Sequence, residues 1–127
     1  MKYNKKPTGL TLLEVMVAIV IIGILTAIAA PSYSEYIKQT HLNIAAQKGE
    51  HLQMLLQEYW EDNETYVAGN DKVDTVLQDT LGWDSGDANI TSKVEAGSSG
   101  DIKTSFKITL SHAKVDDEDL VIQYSRN

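Results

Sequence analysis

The stretch LTLLEVMVAIVIIGILTAIAA, residues 10–30, decides the fold of this chain. It holds a single charged residue, Glu14. As an α-helix with a rise of 1.5 Å per residue, the stretch would be about 31 Å long, which matches the roughly 30 Å hydrocarbon core of a bilayer. A chain of 127 residues has too little protein to surround a helix that is apolar on every face. The sequence therefore predicts a membrane-spanning helix.

The residues before this helix, MKYNKKPTG, set its expected orientation in the membrane. They include Lys2, Lys5 and Lys6 and no acidic residue. Basic residues beside a membrane helix stay on the cytoplasmic side, so everything after residue 30 would be exported. The sequence Ala27-Ile28-Ala29 also fits a weak signal-peptidase site, which leaves an ordinary cleaved signal peptide as an alternative.

Residues 9–15, GLTLLEV, resemble the processing site of type IV pilins and of their pseudopilin relatives. The shared pattern is a short basic leader, a glycine, an apolar residue and a glutamate four positions further on. Gly23 and Pro31 occur where this family commonly has a glycine and a proline. Tyr33 and Tyr36 follow, as an aromatic pair often does in the family. The resemblance is strong over about the first third of the chain.

The resemblance implies a maturation step at the start of the helix. A membrane-embedded prepilin peptidase would cut between Gly9 and Leu10 and methylate the new amino group of Leu10, where the family most often has phenylalanine. Gly9 has no side chain to obstruct a protease. Removal of the leader, residues 1–9, would take away three lysines and change the net side-chain charge from −7 to −10.

Glu14 is expected to guide assembly. A carboxylate in an apolar membrane segment is costly, and such residues are functional by default. The resemblance implies that in a filament Glu14 accepts the charged amino terminus of Leu10, from a neighbouring subunit or its own. Such a pair recovers much of the desolvation cost and selects one axial offset between subunits. Thr11 would add a hydrogen bond near this site or bond back to its own helix.

Gly23 and Pro31 are expected to give the helix flexibility. Glycine in a helix interior costs about 1 kcal/mol relative to alanine, and proline removes a backbone hydrogen bond and kinks the chain. The resemblance implies that this stretch can unwind during filament assembly. Close packing between membrane helices is an equally good explanation for Gly23.

The helix is predicted to run from Leu10 to near Trp60, with a kink at Pro31. Residues 31–61 are its amphipathic continuation. One stripe of side chains recurs at steps of three and four residues. It consists of Ile37, His41, Ile44, Ala45, Lys48, Leu52, Leu55, Leu56 and Tyr59. The membrane-spanning half would lie in lipid or in a filament core, and this second half would pack under a sheet.

Residues 62–127 are predicted to form a connecting loop and an antiparallel sheet. The loop holds a possible helix from Lys72 to Leu81, and Trp83 is assigned to the core. From Ala88 onward the period changes to two, which indicates strands. Their alternating residues are Ile90 to Ala96, Ile102 to Leu110 and Leu120 to Tyr124. A long helix on three to four antiparallel strands is an α+β, pilin-like fold, reached here from the pattern alone.

The sequence predicts no cofactor and no metal. It contains no cysteine, so the carboxy-terminal disulfide of many pilins is excluded, and sheet pairing, packing or a bound ion must replace it. Asp116, Asp117 and Asp119 are the only calcium candidates, but runs of charge usually face water. His41 and His51 are too far apart on a helix to share a metal, and we expect exposed or half-buried side chains.

The predicted function is that of a structural subunit, not an enzyme, because no nucleophile elbow, phosphate loop or paired metal motif is present. Residues 58–66 resemble the helix end and Asn-x-Thr-Tyr turn of minor and small major pilins, which favours a true pilin over a pseudopilin. The resemblance implies a minor pilin that is anchored in the inner membrane, with its domain in the periplasm, and that passes through the assembly platform into a cell-surface pilus. Its partners would be other pilin subunits and the prepilin peptidase.

Three alternatives to the minor pilin remain open. A type II secretion pseudopilin shares the helix motif. A pilus-associated DNA receptor and a monomeric membrane-anchored periplasmic domain belong to other classes. The acidic composition disfavours direct binding of nucleic acid, since acidic surfaces repel phosphates, although the filament itself could serve adhesion, twitching motility or DNA uptake.

Overall fold

The structure, a computed structural model, describes residues 9–115 and 118–126. It divides into two compact units, one ending at Tyr36 and the other beginning at Ile37. The elements are α1 (Leu12–Asn63), β1 (Gly69–Asn70), α2 (Val76–Leu81), β2 (Ile90–Ala96), β3 (Ser105–His112) and β4 (Leu120–Ser125). This order confirms the predicted α+β, pilin-like fold, with a long amino-terminal helix followed by an antiparallel sheet.

The first unit holds the apolar part of α1. The large hydrophobic side chains from Leu10 to Ile28 are exposed on all sides, with Leu10 at 81% and Ile28 at 67%. Within the described residues, α1 is one helix that is long and apolar enough to cross a membrane. Pro31 lies inside α1 without ending it. The helix starts two residues later and ends three residues later than predicted.

The second unit holds a four-stranded antiparallel sheet in the order β1-β2-β3-β4. Val94 on β2 lies opposite Ile108 on β3, which in turn lies opposite Ile122 on β4. Because side chains alternate across a strand, this register places the apolar positions of three strands on one face. The opposite face carries polar side chains: Thr91, Lys93, Glu95, Lys107, Thr109 and Gln123.

The core of the second unit lies between the sheet and the part of α1 that follows Ile37. From α1 the buried apolar residues are Ala45, Leu52 and Leu56. The sheet contributes Ile90, Val94, Phe106, Ile108 and Leu110. Trp83 is only 2% exposed, which confirms its predicted place in the core. The predicted helical stripe therefore packs under the sheet as expected, except that Ile37 and Ile44 stay more than one third exposed.

The short helix α2 begins later than predicted, because side chains take the backbone N–H groups of the turn before it. Asn70 Oδ1 accepts a hydrogen bond from the Lys72 N–H at 3.0 Å, and Asp74 Oδ1 accepts one from the Val76 N–H at 3.1 Å. Asn and Asp side chains commonly compete with a helix in this way. Val73, expected on the helix, is instead 80% exposed in this turn.

Strand β3 also begins later than the alternation predicts, at Ser105 instead of Ile102. Asp101 holds the preceding residues in a turn, since its side chain accepts from the Lys103 N–H at 2.9 Å and its carbonyl from the Ser105 N–H at 3.0 Å. The two-residue strand Gly69–Asn70 was not predicted from the sequence. This strand is defined by its pairing with β2, and two residues are too few to show the alternating pattern of a strand.

Gly49 lies where α1 comes closest to the sheet. A Cβ atom at this position would lie 2.6 Å from Leu110 Cδ1 and 2.7 Å from Ile122 Cδ1. Glycine is about 1 kcal/mol less favourable than alanine inside a helix. Here its missing side chain lets two buried layers approach each other, so Gly49 is a packing residue of the helix–sheet interface.

We predict that Gly49→Leu destabilises the second unit by about 1–3 kcal/mol, the range for overpacked cores. The matched control is Gln47→Leu, which introduces the same side chain at an exposed position of the same helix and should change stability by less than about 0.5 kcal/mol. Urea unfolding of the full chain in detergent micelles, followed by tryptophan fluorescence, measures both. Equal stability of the two variants would contradict the close approach at Gly49.

Candidate functional site

The predicted processing and assembly residues lie at the start of α1, and two of them form a reciprocal hydrogen-bonded pair. Thr11 immediately precedes the helix, and Glu14 is its third residue. The Glu14 N–H donates to Thr11 Oγ1 at 3.2 Å, and the Thr11 N–H donates to Glu14 Oε2 at 2.8 Å. The Thr11 hydroxyl also donates to Glu14 Oε2 at 3.1 Å. This geometry is a capping box, which satisfies two backbone donors at the helix start.

The capping box gives Glu14 a local role that the sequence analysis did not assign. The signal was available, because a threonine followed three residues later by a glutamate before an apolar run is typical of a helix start. The Thr11 hydroxyl bonds to Glu14 instead of to a helix carbonyl. Both hydrogen bonds that the carboxylate accepts from Thr11 use Oε2, so within the described residues Oε1 is left for another donor.

The other residues predicted for processing and flexibility are accessible. Gly9 and Leu10 precede α1, and both are exposed. Leader residues 1–8 lie outside the described residues. No atom lies within 4 Å of the place that a Cβ on Gly23 would occupy. Pro31 lies inside α1 and has no N–H to donate to the preceding turn. The roles of these residues in cleavage and helix flexibility stay predictions.

The calcium candidates do not form a described site. Asp116 and Asp117 lie outside the described residues, and Asp119 is exposed. The adjacent Glu118 pairs with Lys38 of α1, with 2.7 Å between Oε2 and Nζ. Within residues 9–115 and 118–126, no group of three acidic or histidine side chains is placed to hold a metal ion.

A stacked histidine pair, in which His112 is buried and His41 half-buried, was missed by the sequence analysis. His112 ends β3 and is 3% exposed, and its ring stacks on that of His41 with 4.3 Å between the ring centroids. The signal was the two-residue period of β3, which continues from Leu110 to His112 on the buried face. Burial lowers the pKa of His112, and the nearby His41 ring adds to this effect. Asp87 has its own pKa lowered, chiefly by hydrogen bonds from Asn89.

We predict that Thr11→Val weakens the start of α1 by about 0.5–2 kcal/mol, because it removes the N-cap hydroxyl. Thr11→Ser keeps the hydroxyl and is the matched control. Hydrogen exchange of the Glu14 amide, measured by NMR on the full chain in micelles, should accelerate by roughly 2-fold to 30-fold in the valine variant only. Unchanged exchange in Thr11→Val would show that the box does not hold the helix end.

Comparison with known proteins agrees with this geometry. A profile of the prokaryotic N-terminal methylation motif matches residues 4–30. Fimbrial protein EcpC of Eikenella corrodens is 37% identical over 62 residues, which cover 49% of this chain and 40% of EcpC. Type IV major fimbrial protein FimA of Dichelobacter nodosus is 32% identical over 62 residues, which cover 49% of this chain and 39% of FimA.

The matched region thus spans about two fifths of the length of each of these relatives. No solved structure matches the chain at comparable significance. The methylation motif lies on the amino-terminal helix, and the domain that follows has the long-helix-and-sheet architecture expected for pilins. This amino-terminal motif, the similarity to fimbrial proteins and the fold together support assignment of the chain to the type IV pilin family.

Proposed function

We propose that this chain is a structural subunit of a type IV pilus, most like a minor pilin. In this proposal it is cut between Gly9 and Leu10, N-methylated on Leu10 and polymerised through α1. The observation that carries the proposal is the apolar stretch of residues 10–30, which is exposed on every side and whose single charge, Glu14, lies in the first turn of α1. The two similar proteins are described as fimbrial, which supports a structural and non-enzymatic role.

The exposed apolar surface of α1 must be covered both before assembly and in the filament. Apolar side chains gain roughly 25 cal/mol for each Å² removed from water, so residues 10–30 need lipid or other apolar helices around them. Lipid would surround this segment in the inner membrane, with the leader in the cytoplasm and the domain in the periplasm. In a filament, the same segments of neighbouring subunits would surround one another.

Cleavage would change the electrostatics of the helix start. A new ammonium group on Leu10 would lie at the positive end of the α1 dipole, which disfavours a cation. Glu14 offers the compensating negative charge, and its Oε1 is the atom that the capping box leaves for such a donor. Pairing between the ammonium of one subunit and Glu14 of the next would set the axial offset of the filament.

The end of α1 supports a true pilin over a pseudopilin. The helix ends at Asn63, Glu64 adopts a positive φ of 53°, and Tyr66 is buried. These residues form the turn whose sequence resembles that of minor and small major pilins. Prepilin peptidase and the inner-membrane assembly platform would be its partners before assembly, and other pilin subunits afterwards.

The first prediction from this proposal concerns the processing of the amino terminus. Intact-mass analysis of protein from membranes or sheared filaments should find a chain that begins at Leu10 and carries one added methyl group. Gly9→Val should abolish cleavage, because a branched side chain would obstruct the peptidase, whereas Lys5→Gln in the same leader should leave cleavage intact. A chain that begins near Ala30 would mean ordinary signal cleavage and would overturn the proposal.

The second prediction concerns assembly into filaments. Three variants distinguish the effect of charge pairing from that of helix capping. Glu14→Gln keeps an oxygen acceptor for the Thr11 N–H but removes the charge. Glu14→Val removes both, and Thr11→Val removes only the hydroxyl. Both Glu14 variants should be processed normally yet be at least about tenfold depleted in sheared filaments, since an unpaired buried ammonium costs several kcal/mol. Thr11→Val should assemble.

Normal incorporation of Glu14→Gln would show that its charge does not guide assembly. The wild-type subunit should make up a small fraction of the sheared filaments, as expected for a minor pilin. A subunit that forms most of the filament mass would instead assign it as a major pilin.

A further inference from the structure

The histidine pair in the second unit joins two elements that are far apart in the sequence. His41 lies on α1, and His112 is the last residue of β3. The two rings stack at an interplanar angle of 27°, and the His112 side chain is almost fully buried. Neutral imidazoles can stack in this way without electrostatic cost. Two imidazolium rings with centroids 4.3 Å apart would repel each other.

The hydrogen bonds around His112 favour its neutral form. Its Nδ1 accepts a hydrogen bond from the Lys114 backbone N–H at 3.2 Å. An acceptor nitrogen is the one that must take up the proton when histidine becomes charged. Protonation of His112 at Nδ1 would therefore break this bond and place the new Nδ1–H opposite the Lys114 N–H. The His41 Nδ1 is also buried, and no hydrogen-bond partner for it exists among the described residues.

One nearby group opposes these effects. Asp87, in the loop before β2, places Oδ2 3.9 Å from His112 Nε2, where its charge favours an imidazolium. This distance exceeds that of a hydrogen bond, and Asp87 already accepts two hydrogen bonds from Asn89. The cationic Lys114 works in the other direction. Burial, the His41 ring and Lys114 together outweigh Asp87, so the pKa of His112 is lowered.

We infer that the His41–His112 stack is an acid-sensitive contact between α1 and the end of β3, which holds while the His112 ring is neutral and opens when His112 takes up a proton. The Lys38–Glu118 ion pair is a second contact between α1 and the segment before β4. The inference does not depend on the proposed function.

The sign of the pH dependence follows from the lowered pKa. The unfolded chain binds the proton with the ordinary pKa of 6.5, whereas the folded domain binds it only at lower pH. Between these two values the unfolded state holds more protons, so stability falls as pH falls. The contribution of His112 is complete above about pH 6.5 and is lost as the pH drops toward the folded pKa.

The test uses the full chain in detergent micelles, with urea unfolding of the sheet domain at pH 7.5 and pH 5.5. When the pH is lowered from 7.5 to 5.5, the unfolding equilibrium constant should rise in the wild type. This rise should be at least about threefold larger than the rise in the double variant His41→Gln/His112→Gln. His51→Gln is the matched control, because His51 is on the same helix but exposed, and it should behave like the wild type.

An NMR titration of the wild-type histidine side chains keeps the inference testable if the double variant does not fold. We expect His112 to titrate below pH 6.5, together with chemical-shift changes at the Lys114 amide in the same pH range. Titration of His112 at or above pH 6.5 would overturn the inference. An equal pH dependence in wild type and double variant would overturn it as well.

Discussion

The structure depends on one constraint: α1 must keep two different apolar surfaces away from water. Its first part is apolar on every side, and its second part is apolar on one stripe only. A stripe can be covered by a single sheet, whereas a helix that is apolar all round needs a surrounding medium. The pattern changes after residue 30, a few residues before the structure divides into two units between Tyr36 and Ile37. One helix thus carries both kinds of apolar surface.

The polar groups at the helix start illustrate how a costly residue can serve two purposes. Glu14 satisfies the Thr11 N–H within its own chain, so its presence already has a structural explanation. The capping box also fixes the direction of the carboxylate before any partner arrives, which lowers the entropy lost on pairing. A local cap and an assembly contact are therefore compatible, because they use different oxygens of one carboxylate.

Periodic patterns made most of the fold predictable, and local side-chain bonding accounts for most of the errors. The period of two in Phe106, Ile108 and Leu110 placed these residues on the buried face, where the structure has them. The starts of α2 and β3 were wrong because Asp74 and Asp101 capture backbone N–H groups. The strand Gly69–Asn70 arises from pairing with β2, which no local pattern can indicate.

Non-covalent contacts hold the end of the sheet in this cysteine-free chain. The Trp60 Nε1 group donates to the Lys103 carbonyl at 2.9 Å, and the Arg126 guanidinium lies 3.7 Å from the Trp60 ring. The Arg126 N–H also bonds to the Thr104 carbonyl. Such a hydrogen bond contributes about 1 kcal/mol and an exposed cation–π contact about 0.5–1 kcal/mol. Together they approach the 2–4 kcal/mol typical of a disulfide, and they fasten β4 to the end of α1.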